Sequence, residues 1–102
     1  QINRGIGAMV DNVRVGDRVR AYDYDCRDTT GENACYVEGI VVEFQNDGNV
    51  RNGRYIIQVD LDMWAGKKAQ IRVGHKAYPP VNGRVVHPAN VITNRVVVLK
   101  SR

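Results

Sequence analysis

The chain has 102 residues with a formal net charge of +4, an apolar share of 43% and a charged share of 25%. That is the make-up of one ordinary globular domain with a modest core, and acidic partners suit its mild basicity. No apolar run exceeds four residues, so no segment spans a membrane as a helix, and no stretch has the basic-then-apolar layout of a signal peptide.

Residues 1–12 show no sustained period and read as an N-terminal arm, leaving 13–102 as a single β domain. Residues 13–25 alternate and read as the first strand. Val13, Val15, Val19 and Ala21 share an apolar face, and Arg14, Arg18, Arg20, Tyr22 and Tyr24 share the other. The Gly16-Asp17 pair inside this run is turn chemistry. Residues 34–45 form a second strand around Ile40-Val41-Val42. Asn46-Asp47-Gly48-Asn49 and Asn52-Gly53 are turns. Residues 54–63 alternate most strictly. Tyr55, Ile57, Val59, Leu61 and Met63 occupy one face, and Ile56, Gln58, Asp60 and Asp62 the other.

Trp64-Ala65-Gly66 ends that strand, and residues 69–73 fit a short fourth one. Tyr78-Pro79-Pro80 cannot continue a ladder, because each proline lacks a donor. Residues 84–90 read as a connection, with a 3₁₀ turn near 88–92. Residues 91–99 form a β-branched closing strand. With no helical stripe anywhere, the expectation is an all-β domain, a small barrel of about five strands with long Gly/Pro-rich connections. Its core should hold Val13, Val15, Val19, Tyr55, Ile57, Val59, Leu61, Val97 and Leu99.

Arg14, Arg18, Arg20, Tyr22 and Tyr24 form the most suggestive functional stripe. Guanidinium groups pair with phosphates, and tyrosine rings give bases a stacking surface, so nucleic acid is the first ligand class. The same residues suit a protein interface or a solvated outer face packed on neighbouring strands. Ile56 and Trp64 beside Asp60 and Asp62 would make a mixed patch suited to a protein partner or a homo-oligomer. Trp64, His75 and Tyr78 lie in one long connection and fit a binding groove or a plug at the barrel end.

Cys26 and Cys35 are too few for a disulfide framework, which points to a reducing, cytoplasmic setting. Reduced, partly buried thiols are the expectation, with a cross-hairpin disulfide as the alternative because the pair flanks a polar turn. Together with His75 and His87 they match no zinc spacing. Ser101 is the only serine, and no nucleophile–base set is evident. No metal, cofactor or catalytic residue is expected, and the chain reads as a non-enzymatic binding module.

Gly16-Asp17-Arg18-Val19-Arg20 followed by Glu38-Gly39-Ile40-Val41 resembles the opening of SH3-like barrels of the KOW and Tudor type. That resemblance implies a five-stranded barrel used for binding. With Tyr78-Pro79-Pro80-Val81-Asn82-Gly83 the layout is also similar to uncharacterised products of tailed phages, which implies a phage or mobile-element origin. The opening resembles plasmid-borne type II dihydrofolate reductase too. That enzyme's Val-Gln-Ile-Tyr segment has its nearest match in Ala69-Gln70-Ile71-Arg72, where the tyrosine is missing, so the enzyme reading is disfavoured.

Overall fold

A computed structural model describes residues 13–23, 33–45, 53–87 and 91–102. The arm at 1–12, Tyr24, Cys26, the turn at 46–49 and the expected 3₁₀ turn at 88–90 lie outside the described residues. The described chain is all-β and carries eight strands: β1 (Arg18–Tyr22), β2 (Tyr36–Gln45), β3 (Arg54–Trp64), β4 (Lys67–Ala69), β5 (Lys76–Ala77), β6 (Arg84–His87), β7 (Val91–Asn94) and β8 (Val96–Lys100). One antiparallel sheet runs β4-β3-β2-β1-β8, with β5 also paired to β3, and β6 pairs β7 in a separate sheet. The sheets do not close into a barrel.

The Gly16-Asp17 pair earns its place through hydrogen bonds. Gly16 takes φ of 98°, and a Cβ there would run into the Arg102 side chain. The Asp17 carboxylate accepts the backbone N–H groups of Arg14 and Arg102, each at 2.9 Å. These two bonds hold its pKa below the ordinary value. One buried carboxylate thus ties the turn before β1 to the end of the chain.

The core gathers Val19, Ala21, Val37, Val41, Tyr55, Ile57, Val59, Val81 and Val96, with Val13, Ala77 and Val98 packed against it. Several expected faces are corrected by two bulges in the β2–β3 ladder. Glu38 pairs Leu61 while Gly39 pairs Val59, so Asp60 is an extra residue. Val41 pairs Ile57 while Glu43 pairs Ile56, so Val42 is another. An extra residue reverses the alternation beyond it. Leu61 therefore shares the outer face with Glu38, and Asp62 stands opposite core Val37. Ile56, expected outside, is buried.

The closing segment also changes phase. Arg95 separates β7 from β8, and the two strands belong to different sheets. Val96 and Val98 face the core opposite Ala21 and Val19. Val97 lies opposite Arg20 on the outer face, and Leu99 is exposed. Val15 is 45% exposed because the turn at Gly16 breaks the strand before it. Residues 84–87 are a strand rather than a connection, and the fourth strand is Lys67–Ala69 rather than 69–73.

Candidate binding cleft

The outer face of β1 and β2 carries the Arg/Tyr stripe. Arg18 grips Asp60 with both arms, NH1 to Oδ2 at 2.7 Å and NH2 to Oδ1 at 2.8 Å. Its NH2 also donates to Glu38 at 3.4 Å. Arg20 donates to Glu38 Oε2 from Nε at 2.7 Å and from NH2 at 2.6 Å. The hydrogen bond from Arg18 holds Asp60 below its ordinary pKa. The Arg20 guanidinium lies 4.1 Å from the centre of the Tyr36 ring, and Tyr22 packs edge-on to Tyr36 at 5.9 Å. Two guanidiniums meet two carboxylates here, and Arg20 also lies against one face of the Tyr36 ring. Arg14 is exposed and contributes its backbone N–H to the turn.

The bulge at Asp60 sends the two acidic residues of β3 to opposite sides of the sheet. Asp60 serves Arg18 outside, while Asp62, 2% exposed, lies on the core side. The mixed patch of Ile56, Trp64, Asp60 and Asp62 is therefore not assembled, since Ile56 and Asp62 are buried.

Residues 70–75 fold back along β3. Val59 donates to His75 O at 3.0 Å, Gly74 donates to Val59 O at 2.9 Å, and the Gln58 amide caps Gly74 O at 3.0 Å. That return delivers Arg72 to Asp62. Asp62 accepts from the Arg72 backbone N–H at 3.0 Å, from Nε at 2.9 Å and from NH2 at 2.7 Å. Arg72 NH1 reaches Asp23 at 2.9 Å, and Asp23 Oδ2 is buried without a hydrogen-bond partner. Burial pushes the Asp62 carboxyl up, but the bonds and charge of Arg72 outweigh it, and the net pKa is lowered. Trp64 lies under the same guanidinium, 5.8 Å from ring centre to carbon.

Beside this triad opens a cavity of about 210 Å³. Ala21, Val37 and Ala77 form its apolar part, Tyr78, Pro79 and Pro80 one wall, and Arg54, Arg72, Arg95 and Asp23 its charged lining. The proline wall is fixed through its carbonyls, the only backbone hydrogen-bonding groups prolines have. Tyr55 donates to Pro79 O at 3.0 Å, and Arg54 bridges Pro80 across the strand. Arg54 NH1 donates to Tyr78 O at 2.9 Å, and Arg95 Nε donates to Tyr22 O at 2.7 Å.

Of the expected groove residues, exposed Tyr78 lines this cavity, exposed Trp64 touches it only through Arg72, and exposed His75 contributes its backbone carbonyl to β3. Arg54, Arg72, Arg95 and Asp23 are not recognisable as one site in the sequence. They come from four separate segments, and no local spacing signals them. Arg72, which ends the Ala69-Gln70-Ile71-Arg72 segment, is engaged by two carboxylates.

Cys35 is disulfide-bonded; the sequence has one other cysteine, Cys26, outside the described residues. Among the described residues no three His, Cys, Asp or Glu side chains gather to hold a metal ion, and no helix is long and apolar enough to cross a membrane. The chain matches no family model, no curated protein and no solved structure.

Proposed function

We propose that this chain is a non-enzymatic recognition module on an SH3-like scaffold and that its ligand is a protein partner rather than a nucleic acid. One observation carries the choice: the two-armed Arg18–Asp60 pair and the Arg20–Glu38 pair. A strand face that binds several phosphates needs cations whose only competitors are mobile counterions. Here a phosphate would have to displace carboxylates already fixed at hydrogen-bond distance. The stripe serves instead as cross-strand adhesive for β1, β2 and β3. The disulfide-bonded Cys35 favours an oxidising compartment over the cytoplasm for this module.

The test is fluorescence anisotropy of labelled single-stranded DNA and RNA at low salt, with the native chain and an Arg18→Ala/Arg20→Ala variant. The expected result is no affinity difference between them. A loss of about 1–3 kcal/mol in the variant, together with a steep salt dependence in the native chain, would return the stripe to nucleic acid.

A further inference from the structure

We propose that the cleft beside Arg72 is a carboxylate-binding site that takes one acidic side chain of the partner, an assignment that rests on the protein-partner reading above. The cavity's volume of about 210 Å³ suits a single side chain rather than a length of polymer. Its apolar part, made by Ala21, Val37 and Ala77, suits the methylene portion of an acidic residue. Small residues at 21 and 77 are what leave the space open.

Arg54 supplies the recognition group. Its NH1 is held by Tyr78 O at 2.9 Å, which anchors one arm of the guanidinium. The Nε–NH2 edge has no carboxylate among the described residues. An anchored guanidinium with one edge open is pre-organised for a two-bond pairing with a carboxylate.

Charge selects the class of anion. Arg54, Arg72 and Arg95 surround the cleft, and Asp23 and Asp62 already engage Arg72. Two carboxylates so close to the space favour a monoanion over a phosphate dianion, because like charge at short range is costly in a partly dry site.

The experiment is a titration of the isotope-labelled full chain, followed by amide chemical shifts, with the blocked peptide acetyl-Ala-Ala-Glu-Ala-Ala-amide and its glutamine counterpart. The glutamate peptide is expected to shift the Ala77 and Tyr78 amides, and the glutamine peptide to bind at least about tenfold more weakly. Arg54→Gln should weaken the glutamate peptide about tenfold, and Arg54→Lys, which keeps the charge without the fork, should fall between. Arg54 is exposed, and an unchanged spectrum elsewhere confirms that each variant folds. Equal binding of the two peptides, or no shift at millimolar glutamate peptide, overturns the site. If the glutamate peptide binds but Arg54→Gln leaves its affinity unchanged, the cleft assignment falls while protein recognition stands. If an oligothymidylate binds more tightly than the peptide and loses affinity in Arg54→Gln, both readings fall together.

Discussion

Replacing Arg72 with methionine removes one charge from a part-buried triad and leaves the fold's shape nearly unchanged. Asp62 would lose the side-chain bonds at 2.9 and 2.7 Å, keeping the backbone N–H at 3.0 Å. Asp23 would lose its bond at 2.9 Å. Stranding a buried carboxylate costs about 3–5 kcal/mol, and a guanidinium about one-third exposed places this case at the lower end, near 3 kcal/mol. Burial is the largest single influence on Asp62, and most of the opposing influence comes from the Arg72 side chain. Without it, the Asp62 pKa should rise above the ordinary value. The sign of the pH dependence then reverses. In the native chain the lowered pKa gives stability that is present above about pH 4 and lost as pH falls through the folded value. In Arg72→Met the raised pKa makes stability increase as pH falls from neutral towards about pH 4. Urea denaturation across that range measures both effects. A destabilisation under about 1 kcal/mol at pH 7, or a pH slope unchanged from the native chain, would refute the reasoning. An Asp62→Leu/Arg72→Met double variant should recover only part of the loss, because Asp62 is then no longer buried alone while Asp23 still lacks its partner.

Three further outcomes follow from backbone and covalent structure. Gly39→Ala should cost about 2 kcal/mol in chemical denaturation, because a Cβ there would run into the Gln58 carbonyl across the bulge. Ala65→Asn should stabilise by about 0.5–1 kcal/mol, read as a rise in denaturation midpoint: Ala65 has φ of 53° before Gly66 at 79°, the two-residue hairpin turn that Asn-Gly fits best. Mass spectrometry without reductant should find the chain lighter by about two hydrogens than its reduced form; two alkylatable thiols would remove the Cys35 bridge and, with it, the oxidising compartment.

Alternation of apolar and charged residues was enough to place β2, β3 and the centre of β1, which spans only Arg18–Tyr22 of the expected 13–25, and to identify Val19, Tyr55, Ile57 and Val59 as core. It failed where one residue was added to a strand. Nothing in Val59-Asp60-Leu61-Asp62 marks Asp60 as extra. The bulge becomes intelligible only once Gly39 is seen against the Gln58 carbonyl of the neighbouring strand. The same limit explains β8: in Val96-Val97-Val98-Leu99 every residue is apolar, so sequence sets no phase. Pairing with Ala21 and Val19 sets it instead. Ala65-Gly66 was not legible as a hairpin turn, because alanine seldom adopts the positive φ that the turn imposes.

The functional stripe shows a deeper limit of the same kind. That Arg18 and Arg20 share a face is a local fact, fixed by the two-residue period. Whether those charges are available to a ligand depends on residues 42 and 18 positions away, Asp60 and Glu38. Arg72 is the converse case. It looked like one charge within a short strand, yet it meets Asp23 across 49 positions and Asp62 across 10. The residues most visible as a binding surface are therefore engaged in holding the sheet together. Arg54, at the start of the clearest strand, carries no signal of its own in the sequence. Its significance comes from Tyr78 O, which anchors one arm of the guanidinium beside a cleft that small side chains leave open.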